Sequence, residues 1–185
     1  NDFCVLPTMV NALHYFKGYL YAFADSIMYV VDPENLVLVG EYPGMGASNP
    51  LAITDDESAM FFANGNNVYR HDGKTPIVIS ESINQIGTLI TGATSHRTLA
   101  ASYTISMCMM GRFNCLVVGY MGTAAEDGQV FVFNLDKKAW YYWTLGTIAG
   151  GSAITWGAVR RSIFSDYLGN LYFSVSAGVA KICGS

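Results

Sequence analysis

The chain has 185 residues, of which 51% are hydrophobic, 14% aromatic and only 13% charged, with a formal net charge of −4. This composition supports one buried core and excludes a disordered polymer. It also excludes a surface built to grip phosphates, because counterion release needs clustered Lys and Arg, whereas the ten basic residues are scattered and adjoin only at Lys137-Lys138 and Arg160-Arg161.

The opening stretch NDFCVLPTMVNALHYF starts on Asn and has neither the charged n-region nor the apolar h-region of a signal peptide, so the sequence is expected to begin inside a longer chain. Short apolar or alternating runs rich in Val, Ile, Tyr and Phe then follow one another, separated by Gly, Asn and Asp, which predicts strands. They are GYLYAFA (18–24), IMYVVD (27–32), LVLVGEY (36–42), LAIT (51–54), AMFFANG (59–65), VYRHD (68–72) and PIVIS (76–80). The series continues with TLAASYT (98–104), CLVVGYM (115–121), QVFVFNL (129–135), AWYYWTL (139–145), SIFSDYL (162–168), NLYFSVS (170–176) and VAKI (179–182). The best helical stretch, SINQIGTLITGAT, is broken by two glycines, so helix is expected to be scarce. The apolar runs are too short to cross a bilayer, and no membrane span is expected.

Four segments share one pattern: DSIMYVVDPENLVLVG, GNNVYRHDGKTPIVIS, DGQVFVFNLDKKAWYYW and LGNLYFSVSAGVAKIC. Each has a turn, an aliphatic residue, an aromatic residue, an alternating strand, a tight turn and a second strand. The recurring aromatics are Tyr29, Tyr69, Phe131 and Tyr172, spaced by 40, 62 and 41 residues. Two spacings near forty match a four-stranded propeller blade, and the longer one matches a blade plus an insertion. The expected fold is all-β: a β-propeller, or part of one, built from four-stranded blades and occupying residues 1–185 as a single region.

Chemistry-bearing residues do not form a recognised constellation. Asp55-Asp56 reads as turn chemistry, since Asp bonds its own backbone at turns. His14, His71 and His96 show no metal-ligand spacing, and His71 has no partner in the sequence pattern around it. Alternation places Arg70 and Asp72 on one strand face as a surface pair. Ser95-His96-Arg97 lacks a nucleophile elbow, and TGATSHRT reads as a long loop before a strand. GMGASNP (44–50) reads as a blade connection, not a phosphate loop, because it joins strands. Glu126 and Asp127, in GYMGTAAEDGQ, lack the alternating oxygen ligands of a calcium loop. The four cysteines, Cys4, Cys108, Cys115 and Cys183, include no C-x-x-C pair and read as core thiols. No cofactor, metal or catalytic residue is assigned, and the chain is expected not to be an enzyme. The aromatic strand with Trp140, Tyr141, Tyr142 and Trp143 puts aromatics on both faces: core packing is the first reading, and a contact surface on the second face makes the strand the candidate interface.

Residues 18–73, from GYLYAFADSIMYVVD to GNNVYRHDG, resemble the propeller domain of podophage tail proteins of the packaged-DNA-stabilisation or tail-nozzle type. There a LYxVD strand is followed by a glycine-rich xxLGxxxGxGxVxMA linker, an apolar strand and a GxxxYxYDG hairpin. DGQVFVFNLDKKAWYYW is similar to their blades of aromatic strand, turn and Trp strand, while residues 82–114 depart from the pattern. The resemblance implies a structural protein of the virion tail, made in the host cytoplasm. It would form a homo-oligomeric ring or tube with other tail or portal proteins, one that retains the genome and lets DNA pass without specific binding. Two alternatives come from the residues alone: a glycan- or receptor-binding propeller using the aromatic strand, and a propeller hydrolase with carboxylates in its channel.

Overall fold

The computed structural model describes residues 3–85, 94–121, 129–144, 159–175 and 178–183. Strands β1 (Ala12–Phe16), β2 (Tyr19–Phe23), β3 (Ile27–Asp32) and β4 (Val37–Pro43) form the first sheet, pairing antiparallel in chain order. The second sheet is built in the same way from β5 (Ile53–Asp55), β6 (Met60–Ala63), β7 (Val68–His71) and β8 (Ile77–Val78). The third comprises β9 (Thr104–Met110), β10 (Cys115–Met121), β11 (Gln129–Asn134) and β12 (Ala139–Thr144). In the fourth, β13 (Val159–Ser165), β14 (Leu171–Val175) and β15 (Gly178–Cys183) are described.

Successive four-stranded antiparallel meanders are propeller blades, and the chain is a β-propeller of the expected class. The recurring aromatics Tyr29, Tyr69 and Phe131 each lie on the third strand of their sheets, and Tyr172 lies on β14. Short-range chemistry makes the hairpins. Lys17 and Gly18 both have positive φ, +47° and +87°, as a two-residue turn between twisted strands requires. Asp56 accepts from the Ser58 and Ala59 amides at 2.7 Å each, closing the turn between β5 and β6.

The core lies between blades. Phe16, Tyr21, Phe23 and Met28 of the first sheet meet Met60, Phe62 and Tyr69 of the second. The opposite face of the second sheet, with Phe61, Ala63 and Val68, packs on Ile105, Leu116, Val118, Tyr120 and Phe131 of the third. Val117, Met121, Val130 and Val132 of the third then meet Ile163, Leu171 and Phe173 of the fourth. A strand clamped on both faces must be apolar at every position, which is why all seven residues of β10 are buried. Polar ties cross these joints as well: the Lys17 ammonium donates to the Ser58 and Asp72 carbonyls at 2.8 and 3.0 Å.

The structure corrects two expectations about segments. TLAASYT is not a strand: His96–Ser102 is a helix, α2, following the shorter α1 (Glu81–Asn84). Ser95 is its N-cap, accepting from the Thr98 amide, and Ala100-Ala101 favour helix. Only His96 and Leu99, one turn apart, are buried, so a single face suffices to dock it. With α1 it occupies the insertion that lengthens the Tyr69 to Phe131 spacing. TGATSHRT accordingly enters a helix, not a strand, after Thr94 and Ser95. Strands β1 and β9 were not anticipated, and LAIT begins as a 3-10 turn, Pro50–Ala52, before β5. The C-terminal part of SINQIGTLITGAT and the loop bearing Glu126 and Asp127 lie outside the described residues.

Candidate functional site

Strand β12 carries the candidate interface, and pleating divides its aromatics between two joints. Trp140 and Tyr142 turn toward the core between the second and third sheets, with Phe131 at 6.4 and 5.5 Å between ring centroids. The Trp140 indole N–H donates to the Ile79 carbonyl at 2.6 Å, which ties β12 to the second sheet. Trp143 packs against the core between the third and fourth sheets. Tyr141 is 44% exposed. The strand therefore divides into packing residues and one open ring. Trp140→Phe, which loses the indole hydrogen bond, is expected to cost about 1–2 kcal/mol; Tyr141→Ala should change stability by no more than about 0.5 kcal/mol. Urea denaturation of both variants checks this, and equal costs would contradict the division.

Beside Trp140, a groove of about 440 Å³ separates the two sheets, lined by Arg70, Ile77, Ile79, Phe133, Leu135 and Lys138. Its floor is apolar and its rim carries two cations. Arg70 faces the Asp72 carboxylate at 3.9 Å, the surface pair expected from strand alternation. Among the described residues the lining carries no Ser, Cys, His or carboxylate side chain.

The histidines are held by structural partners. His71 is not partnerless: its Nε2 lies 3.1 Å from the Tyr21 hydroxyl across the joint between first and second sheets, and its ring meets Tyr21 edge-on. Fifty residues separate the two, so no local pattern could have shown the contact. Burial lowers the His71 pKa. His14 reaches from β1 to Asp55 on β5 at 3.0 Å, which gives Asp55 an inter-blade role, while Asp56 keeps the expected turn role.

His96 is fully buried, between the Asn64 carbonyl, 3.0 Å from Nε2, and the Tyr120 hydroxyl, 2.5 Å from Nδ1. A carbonyl can only accept, so Nε2 carries the proton and Nδ1 accepts from Tyr120. This links α2 to the second and third sheets at once. Burial is the main cause that lowers the His96 pKa to about 4. An unfolded chain takes up this proton below about pH 6.5. The stabilisation is therefore complete above that pH and is lost as the pH falls through 4, a change of roughly 3 kcal/mol. His96→Gln should flatten that part of the stability profile between pH 7 and 4, and parallel profiles for parent and variant would contradict it.

Among the described residues, no group of three or more His, Cys, Asp or Glu side chains could hold a metal ion, and no helix is long and apolar enough to cross a membrane. Cys108 and Cys115 are buried, and the Cys115 thiol donates to the Phe113 carbonyl at 3.1 Å.

No family model matches the sequence, and no curated protein matches it. Solved structures match its fold. The computationally designed Ika4 protein aligns with a TM-score of 0.54 at 11% identity, over 99% of this chain and 96% of that one. The WD40 domain of Neurospora crassa Pan2 gives 0.54 at 8% identity, over 94% of this chain and 46% of that one. A chain from the complex of fission yeast SREBP-SCAP binding domains gives 0.51 at 11% identity, over 97% of this chain and 48% of that one. The chain thus spans just under half the length of the latter two. At these identities the likeness concerns fold alone.

Proposed function

We propose that this protein is a structural, non-catalytic component of a phage tail, a propeller module that works through its surfaces in a homo-oligomeric ring or tube. The observation that carries the reading is the set of exposed large apolar side chains on the first and fourth sheets, including Leu13 and Tyr15 on β1 and Phe164 on β13. Surfaces of that kind mark assembly contacts. The blade pattern of residues 18–73 supplies the tail assignment through its resemblance to nozzle-type propellers. A net charge of −4 with few charged groups suits a wall past which DNA slides without being held.

Negative-stain images of the purified protein are expected to show rings or tubes, and dispersed small particles with no higher assembly would contradict the reading. The open Tyr141 ring favours a second reading, a glycan- or receptor-binding propeller. On that reading a glycan array would register binding that Tyr141→Ala abolishes, and an array blank for the parent protein removes it.

A further inference from the structure

We infer that the groove between the second and third sheets is a docking site for an extended, acidic peptide segment of a partner protein, with apolar side chains on its floor and a carboxylate between Arg70 and Lys138. The inference goes beyond the assembly of this chain with copies of itself and does not depend on it.

The groove follows from how the joint is built. Strand pairing runs the row Phe61, Arg70 and Ile77 across β6, β7 and β8, so these three side chains share the face of the second sheet that is turned toward the third. Phe61 is completely buried in that joint, whereas Ile77 is 51% exposed. Twisted sheets that meet at one edge diverge toward the other. The joint is closed where β5 meets β9 and opens into the groove at β8.

The second sheet supplies Ile77 and Ile79 to the floor, and the third supplies Phe133 on β11 and Leu135 in the turn after it. Ile77 and Ile79 stand two apart along β8 and its continuation, so both turn into the groove. Among the described residues β8 pairs with β7 alone. An extended segment laid beside it places every second side chain over the same floor and can bond the strand edge through its main chain, which a compact ligand cannot do. The volume of about 440 Å³ falls within the ~300–1,000 Å³ usual for ligand clefts.

Charge selects the segment. The described lining holds two cations and no carboxylate, on a chain whose net charge is −4. The carboxylates nearest in sequence are engaged by other groups. Asp72 accepts from the Lys74 amide at 3.2 Å and stands 3.9 Å from Arg70, too far for a hydrogen bond, while Asp136 accepts from the Asn114 side chain at 2.6 Å. The Arg70 guanidinium therefore keeps its fork of donors for a ligand carboxylate. Lys138 has no ion pair among the described residues. It closes the turn between β11 and β12 at φ +51°, and the Asn134 side chain fixes that turn by accepting from the Lys137 amide at 2.8 Å. Covering two such cations with a neutral or basic segment costs desolvation that only an opposite charge offsets.

An array of nine-residue peptides tests the inference, with Leu, Ile, Val or Phe at alternate positions and Asp, Glu, Asn or Lys between them. The purified protein is expected to bind members carrying Asp or Glu and to pass over their Asn and Lys counterparts. Fluorescence anisotropy of the tightest acidic peptide should show an affinity that falls as salt is added. Arg70→Glu and Lys138→Glu should each weaken it about tenfold or more, and Ile77→Asp should do the same by spoiling the floor. Lys138→Glu should in turn gain affinity for the matching Lys peptide, a reversal that a merely misfolded variant would not show. Equal binding of acidic, neutral and basic peptides, or no binding by any member up to millimolar concentration, would overturn the inference. Octanoate offers a carboxylate on an apolar tail without a peptide backbone, and competition by it as effective as by the unlabelled peptide would overturn the extended-segment reading.

Discussion

Truncating Phe131 to alanine is expected to lower the free energy of unfolding by about 3–5 kcal/mol, the usual cost of removing a buried aromatic ring. Phe131 is completely buried and meets Tyr120 edge-on at 5.9 Å, Trp140 edge-on at 6.4 Å and Tyr142 at 5.5 Å. It sits where the second and third sheets join. Urea unfolding followed by tryptophan fluorescence measures the effect, and a loss below about 1 kcal/mol would show that this joint does not carry the stack.

Gly46→Ala is expected to be similarly severe, costing about 3 kcal/mol or more, for a different reason. A Cβ at Gly46 would lie 2.1 Å from the Ala24 carbonyl oxygen and 2.4 Å from the Asp25 carbonyl. Those are backbone atoms, fixed in place by the neighbouring Ala47 amide, which donates to the same Ala24 oxygen at 3.0 Å. The obstacle cannot rotate away. Gly65→Ala serves as control: nothing lies within 4 Å of its Cβ position, and the change should stay within about 0.5 kcal/mol. If the two variants unfold alike, the close approach at Gly46 is not what holds the first connection. Gly46 of GMGASNP thus serves chain packing in this connection, while Gly44, at φ +82° with nothing near its Cβ position, serves the turn.

What the sequence reveals of this fold is what repeats locally. Tyr29, Tyr69 and Phe131 could be aligned because each follows a turn at a fixed distance on the third strand of its sheet. The Asp72-Gly73 turn was legible for the same reason, with Gly73 at φ +100°. Strand β9, TISMCMM, was missed because Met and Cys carry little strand preference, although it forms a local hairpin with β10. In α2, capping by Ser95 outweighed the apolar look of TLAASY, and the lone buried pair His96 and Leu99 is too short a stripe to display a period.

The site was legible in part. That Trp140, Tyr141, Tyr142 and Trp143 occupy both faces of one strand follows from pleating, but which face meets which sheet depends on the stack. The tie from Trp140 to Ile79 spans 61 residues, and the His96 links to Tyr120 and Asn64 span 24 and 32. Contacts between blades of this kind obey no local spacing. For the same reason His71 lacked a partner in the sequence and gained Tyr21 in the fold.

The central claim is that this protein is an assembly component that works through its surfaces. Cryo-electron microscopy of the purified protein tests it most directly. The predicted class averages show rings or tubes of repeated propeller modules, and isolated single modules at every concentration would contradict it.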